Sequence, residues 1–500
     1  MKMFMHIESI NNLFNWTFRV NSWIWGVIME LYDDFKFEKE VPKYIQLAEY
    51  IKSLIDKRKI KDGDKLPTIR ALSQKLKVNN VTVVSAYNKL KNEGYAYQKI
   101  GSGSYAKRKE VFSTFRKEYS SSLKNIDSQK SDEIIDFTGE TSAEVLFPID
   151  ELKEIINEVL ERDGAKALMS QNRSGYSNLI YTINEVFWQN KLKNDDIIVV
   201  SGAQQGIDIA SKSILNINDN VIVEKPTYVG ALSVFKWRKV NIFEVPIKED
   251  GIDLKAFEKI LQKNEIRCFY TMSYFQNPTG VSYSIEKKKR ILDLAEIYDF
   301  YIIEDDYLSE LIYESSLEYM PFKWLDKYDR VIYIKSFSKI FLPGIRLGYL
   351  VAPEVFNEVL QSSKHNTDIT TSSLMQRALD MYIAKGSWKN NIKELNMEYS
   401  KRYNMIKDIL DNDFKDIVSY VDPRGGLNFY LTLINKEIDT KVLFRRLKKK
   451  NIYITPGNVF YTSSNEGQDS LKISFYQVNE EKIKIGMDLL REEILAIENW

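Results

Sequence analysis

A single cysteine, Cys268, in 500 residues excludes an intrachain disulfide framework and fits a reducing compartment. No run of eighteen or more apolar residues occurs, so no spanning helix and no membrane partner are expected, and the chain is read as cytoplasmic. The opening stretch "MKMFMHIESINNLFNWTFRVNSWIWGVIMELY" is rich in aromatics, but polar residues interrupt it. It lacks a clean apolar core and a small-residue cleavage site, which argues against a signal peptide. Recognisable organisation begins near residue 40, and Met29 stands as a candidate start. There are no internal repeats and no long low-complexity tract, and no metal is expected. What the chain does have is apolar content, 44% of residues, enough for a large core, and a length that implies two or three domains.

Charge is nearly balanced overall at +1, but unevenly placed. Residues 42–110 hold 16 Lys and Arg against 6 Asp and Glu, a net +10, which leaves −9 for the rest. A small basic module on a mildly acidic body suggests a polyanion partner for the module alone, although lysine-rich surfaces are also common.

The pattern divides the chain into an N-terminal extension (1–40), a basic module (41–106), a polar linker (107–134) and a large region (135–500), whose part from about 385 onward mixes helices and strands as a smaller α+β subdomain. In the module, Tyr44, Leu47, Ile51 and Ile55 mark one helical stripe. Thr68 can cap a second helix over "IRALSQKL". The turn "KVNN" leads to a third helix, Val81 to Asn92, closed by Gly94, and "YAYQ", "KIGSG" and "SYA" suggest a two-stranded wing. Leu72, Leu76, Val83 and Leu90 read as core.

This order is a winged helix-turn-helix, whose last helix enters the major groove. Residues 42–106 resemble the GntR family of DNA-binding domains. Leu66-Pro67-Thr68-Ile69-Arg70 stands at the family's "LPS-x-R". Thr82-Val83, Ala86-Tyr87, Leu90 and Glu93-Gly94 match its recognition helix, and Gly101 and Gly103 match its wing. The resemblance implies a double-stranded DNA operator as partner, contacted by Thr68, Arg70, Asn79, Asn80, Thr82, Gly101 and Gly103. Arg70 can reach a phosphate or a guanine edge. Asn80 stands where the family usually has arginine. An asparagine can pair with adenine, which suits an A·T-rich operator, or Asn79 or Asn80 can serve only as a helix cap.

From residue 135, the apolar runs "DIIVV", "NVIVE", "RCFYTM", "FYIIED" and "RVIYIK" alternate with amphipathic segments, the pattern of an α/β domain with a largely parallel sheet. Four polar motifs follow these runs. "SGAQQGID" (201–208) opens a helix whose N-terminus favours an anion. "QNPTG" (276–280), "EDDY" (304–307) and "SFSKIFLPGIR" (336–346) follow later strands. Ligand groups at the carboxyl ends of successive strands converge on one crevice in such sheets. A lysine there, Lys339, can condense with an aldehyde, whereas a lone lysine is usually a solvated side chain.

Together these motifs resemble the fold-type I, aspartate-aminotransferase-like family, whose cofactor is pyridoxal 5′-phosphate (PLP). The resemblance implies that Lys339 forms a Schiff base with the cofactor and that Asp305 pairs with the pyridinium nitrogen. It also implies that Asn277 and Tyr307 bond the phenolic oxygen and Tyr228 stacks on the ring. Ala203, Gln204, Ser336, Ser338 and Arg346 would cradle the phosphate. A slip of one residue between Asp305 and Asp306 remains open at this stage. Two departures stand out. Lys472, in "LKISF", replaces the arginine that holds a substrate carboxylate, keeping the charge but losing the bidentate fork. Ser170 stands where many relatives place a tyrosine.

The fusion resembles the MocR/GabR family of transcriptional regulators. It implies a winged helix-turn-helix joined to an aminotransferase-like domain, a small amine or amino-acid effector, and a head-to-tail homodimer. The competing expectations are a working aminotransferase with an accessory DNA module, a sensor of PLP itself, and an architectural DNA-binding dimer.

Overall fold

The computed structural model describes residues 29–33, 35–38, 41–56, 59–60, 63–99, 103–107, 114–129, 133–139, 148–169, 172–338, 343–463 and 465–498. The chain divides into two compact units, Met1–Lys117 and Glu118–Trp500. Among the described residues no helix is long and apolar enough to cross a membrane.

In the first unit, helices α1 (Lys43–Asp56), α2 (Ile69–Leu76) and α3 (Asn80–Asn92) precede an antiparallel hairpin of β1 (Ala96–Lys99) and β2 (Gly103–Ala106). Thr68 caps α2, its hydroxyl accepting from Ala71 N at 3.2 Å, and Asn79 caps α3. Leu47, Ile51, Leu72, Val83 and Leu90 are fully buried together. Each contributes about 1.5–3 kcal/mol by leaving water. Tyr44, expected on the buried stripe of α1, is instead 38% exposed. It sits in the helix's first turn, where the stripe runs off the end of the packing surface.

The second unit is built on an eight-stranded sheet. Its strands are β4 (Ile197–Val200), β5 (Asn220–Lys225), β6 (Asn241–Lys248), β7 (Gly251–Ile252), β8 (Cys268–Thr271), β9 (Tyr301–Asp306), β10 (Val331–Ser336) and β11 (Gly348–Val351). The order is β4-β11-β10-β9-β8-β5-β6-β7. The five central strands from β10 to β6 run parallel, while β11 and β7 pair antiparallel with their neighbours. Helices cover both faces, so the central strands read as nearly continuous apolar runs. Within β10, Val331 and Tyr333 join one core cluster and Ile332 and Ile334 the other. All five expected strands are present. β11 and β7 make the sheet mixed; β7 is only two residues long, and β6, which carries Pro246, is half-buried along most of its length, so neither reads as a continuous apolar run.

A second, four-stranded antiparallel sheet carries the C-terminal part: β12 (Val418–Tyr420), β13 (Asn428–Leu433), β15 (Thr455–Pro456) and β16 (Ser470–Ser474). A short parallel pair lies apart from it. There, β14 (Ile452–Tyr453) pairs with β3 (Ile135–Asp136), which comes from far upstream. Inside the segment expected as a linker, Thr114–Gln129 is helical. Its Glu118 pairs with Arg445, its Tyr119 hydroxyl meets Thr455 Oγ1 at 2.8 Å, and its Ser122 accepts from Lys448 at 2.8 Å. The serines and lysines that suggested a linker are here the polar face of an amphipathic helix.

Candidate functional site

Strands β4, β5, β8, β9 and β10 point the same way, so their carboxyl ends share one edge. A cavity of about 410 Å³ opens at that edge, a size suited to a small molecule. It is lined by Ala203, Gln204, Tyr228, Asn277, Asp305, Tyr307, Ser336, Ser338, Arg346 and Lys472. Every residue expected to hold the cofactor or an effector carboxylate is therefore at one place, apart from Lys339, which lies outside the described residues along with Gly101 and Ser170.

One end of the cavity suits an anion. Gly202 precedes the helix Ala203–Ile214 with φ of 91°, and no side chain caps that helix. That φ favours glycine, and a Cβ there would also come within 3.2 Å of Arg346 Nη2, so the guanidinium would have to shift. Arg346 donates to Ser201 O at 3.3 Å and to Ser338 Oγ at 3.4 Å. Ser336 Oγ accepts from Ser338 N at 3.3 Å. Guanidinium, hydroxyls and a helix N-terminus thus converge, the usual composition of a phosphate site.

The cavity lining also includes a buried carboxyl. Asp305 is 1% exposed, and Tyr270 donates to its Oδ2 at 2.8 Å. Burial pushes its pKa up to about 7, with Tyr270 and Lys335 pulling the other way and Asp306 adding to the rise. Asp305 Oδ1 and Asn277 Oδ1 are buried with no hydrogen-bond partner among the described residues. Such atoms are costly unless a ligand meets them. A cationic ring N–H would satisfy Asp305, so the residues present fit a phosphorylated pyridinium group.

The two neighbouring aspartates face opposite ways, as successive residues of a strand do. Asp305 faces the cavity. Asp306 accepts from Tyr333 and Tyr319 at 2.7 Å each and pairs with Lys335 at 3.1 Å. Burial alone would raise its pKa, but the Lys335 cation and the tyrosine hydroxyls outweigh it and hold the carboxyl below its ordinary value.

Tyr228 donates to Gln204 Oε1 at 3.3 Å, which fixes its ring beside the helix N-terminus. Tyr307 donates to Phe275 O at 3.1 Å and accepts from Asn428 Nδ2 at 3.4 Å. Lys472 is 2% exposed, opposite Tyr430 and Thr455 in its sheet, with its ammonium 5.5 Å from the Phe460 ring centre. The lining also includes Gly139, Met272, Asn428, Ser474 and Tyr476, which carried no motif. Ser474 and Tyr476 follow Lys472 at steps of two, and that alternation was the available signal.

On the first unit, Thr68, Arg70, Asn79 and Asn80 are exposed and Thr82 is half-buried. Asn79 Oδ1 accepts from Val81 N at 3.0 Å, and Asn80 Oδ1 accepts from Ser73 Oγ at 2.6 Å. Capping therefore falls to Asn79, while Asn80 braces α3 against α2. Gly103 has φ of 118°, in the region that favours glycine, and turns the wing.

Comparison with known proteins matches this architecture. The family described as Aminotransferase class I and II covers residues 142–490, and the bacterial regulatory proteins of the gntR family cover 43–105. Aromatic-amino-acid aminotransferase 1 of Thermococcus litoralis is 32% identical over 375 residues, spanning 73% of this chain and 89% of its own. The HTH-type transcriptional regulator YdfD of Bacillus subtilis is 27% identical over 473 residues, 90% of this chain and 95% of its own. The kynurenine aminotransferase of Pyrococcus horikoshii, solved in complex with PMP, aligns with a TM-score of 0.71 at 30% identity, over 76% of this chain and 94% of that one. The chain thus belongs to the class I and II aminotransferase family, with a GntR-type helix-turn-helix joined ahead of the family's domain.

Proposed function

We propose that this protein is a DNA-binding transcriptional regulator whose aminotransferase-like domain holds PLP and senses an amine through it. The observation that carries the reading is the pairing, in one chain, of a basic winged helix with a crevice whose buried Asp305 carboxyl keeps an oxygen without a partner among the described residues. A relative named as a transcriptional regulator that matches over 90% of the chain supports the same reading.

When bound, PLP supplies an aldehyde that reacts reversibly with amines and a ring that draws electrons. The chain's own residues do the rest. Asp305 keeps a proton on the ring nitrogen. Asn277 and Tyr307 address the phenolic oxygen, and Tyr228 packs on the ring. Arg346, Ser336, Ser338 and the amides of Ala203 and Gln204 anchor the phosphate. Lys339 is the covalent anchor. Lys472 offers one buried cation to an effector carboxylate, a point charge in place of a fork.

An amine held in the crevice, its carboxylate against Lys472, would change charge and contacts there. If those contacts differ between two arrangements of the large and small subdomains, the effector shifts their populations, and the coupling is reciprocal with DNA. The protein acts as a cytoplasmic head-to-tail homodimer, so the spacing of operator half-sites is the natural readout. Fluorescence anisotropy of an operator duplex selected from random sequence, titrated with and without candidate amines, tests the coupling. Unchanged affinity, stoichiometry and bending with every amine would defeat it.

The 32% identity to an aminotransferase favours a second reading, a working enzyme with an accessory DNA module. Sustained turnover of an amino acid and a keto acid would establish that instead.

A further inference from the structure

Glu224, the penultimate residue of β5, is 0% exposed and belongs to none of the motifs discussed above. Its Oε1 accepts from Thr271 Oγ1 at 2.6 Å, from Tyr283 OH at 2.7 Å and from Met272 N at 3.2 Å. Its Oε2 accepts from Gln276 Nε2 at 2.9 Å. Among the described residues no lysine or arginine is hydrogen-bonded to it, and burial pushes its pKa up to about 7 against the pull of these hydrogen bonds. A buried carboxyl without a cation is expensive. Two of its partners, Met272 N and Gln276 Nε2, can only donate, and the hydroxyls of Thr271 and Tyr283 are placed to donate as well, a set that suits a carboxylate.

The chain of bonds continues towards the cavity. Gln276 also donates to Pro226 O at 2.8 Å, and its Oε1 accepts from Thr279 N at 3.0 Å and Thr279 Oγ1 at 2.6 Å. Asn277 therefore sits between two residues locked to each other, and the lock is oriented from behind by Glu224. Asn277 Oδ1 has no partner among the described residues, so nothing else shown fixes that oxygen. Pro226 lies two residues before Tyr228, and Met272 lines the cavity itself. One carboxylate thus ties the ends of β5 and β8 to the loop that carries Asn277.

We propose that Glu224 is a positioning residue: acting through Gln276, it holds the Asn277 side chain against the phenolic oxygen of bound PLP and so sets the pH at which that oxygen ionises. The proposal rests on the PLP reading above. Oε1 accepts from three donors and Oε2 from Gln276 Nε2 alone, so a glutamine at 224 would place its NH2 at the Oε2 position, facing an N–H of Gln276 whose other proton already goes to Pro226 O. Gln276 would then rotate, Thr279 would lose its acceptor, and Asn277 would drift.

The test uses the full-length protein reconstituted with PLP. The visible absorbance is followed against pH for wild type, Glu224→Gln, Asn277→Ala and the double variant. A hydrogen bond donated to the ionised oxygen favours ionisation, so its loss moves the midpoint upward, by roughly one pH unit. Glu224→Gln should show an upward shift in the same direction as Asn277→Ala, and the double variant should shift no further than Asn277→Ala alone. Gln276→Ala, which leaves Glu224 in place, should reproduce the shift and serves if Glu224→Gln does not fold. A wild-type midpoint in Glu224→Gln or Gln276→Ala, or a double shift equal to the sum of the singles, overturns the proposal. A wild-type protein that develops no visible band overturns the PLP reading itself, which is a different failure.

Discussion

At the crevice, Asp305 and Asn277 are buried, and each keeps one oxygen without a partner among the described residues, whereas at the front of α3 Asn79 and Asn80 are exposed and their carbonyl oxygens are already bonded inside the module. The two regions meet their ligands on different terms. In the crevice the folded chain carries a desolvation cost that a ligand relieves, so binding and stability are linked there. On the module the polar side chains are at ease in water, and recognition rests on a net +10 charge and a preset surface. Such binding is weakened by salt; it stabilises the module only by mass action, with no buried unpaired group to relieve.

The largest effect that would sharpen this contrast is at Lys339. Lys339→Ala removes the covalent anchor, so borohydride treatment followed by mass mapping should find pyridoxyl label in wild type and none in the variant. Label at some other lysine of wild type would break the scheme. The next effect compares two adjacent carboxyls. Asp306→Asn leaves the buried Lys335 with one carboxylate, Glu310 at 2.7 Å, beside the Ser309 hydroxyl at 2.8 Å, and should cost about 3 kcal/mol of stability in denaturant melts. Asp305→Asn should leave the cofactor-free fold intact yet weaken PLP binding by roughly 10-fold or more, read by equilibrium dialysis.

A third test concerns pH. Asp305 titrates near 7 in the folded chain and lower when unfolded, so the folded state holds a proton that the unfolded state has already released. The cofactor-free protein should therefore lose stability, relative to Asp305→Asn, as pH rises from about 4 to about 7, with a limiting slope of about 1.4 kcal/mol per unit. Parallel pH profiles for the two proteins would refute the burial argument. On the module, Arg70→Ala should weaken operator binding by about 1–3 kcal/mol without touching the visible spectrum of bound PLP. Smallest is Asn79→Ala, which removes the α3 cap and should lower module stability by about 1 kcal/mol. Loss of DNA sequence preference in that variant, at unchanged stability, would make Asn79 a reader rather than a cap.

Much of the site was legible because glycine, proline and charged residues punctuate the apolar strands at their carboxyl ends. Alternation along β9 then separated Asp305 from Asp306, a distinction that needs the strand's facing and not only its composition. Asn428 was not legible, because a second sheet from the far end of the chain brings it to the cavity, whereas Tyr476, two residues past the end of β16, was signalled only by its spacing from Lys472. Glu224 was hidden for another reason: a glutamate after an apolar run looks like the start of a turn, and only its four donors reveal it as a hub. The helix Thr114–Gln129 escaped because its polar face dominates its composition.

The pairing of β3 with β14 bears on how this protein can be cut into pieces. Ile135 and Asp136 lie alongside Ile452 and Tyr453, Phe137 is fully buried, and Ser474 N donates to Phe137 O at 2.8 Å. The aminotransferase match begins only at residue 142. A fragment expressed from that boundary would lack these residues and Gly139, which lines the cavity, and would present β14 as a bare edge able to recruit strands from neighbouring molecules. A usable truncation must start upstream of Glu118, so that the helix carrying Glu118, Tyr119 and Ser122 travels with the body it is bonded to.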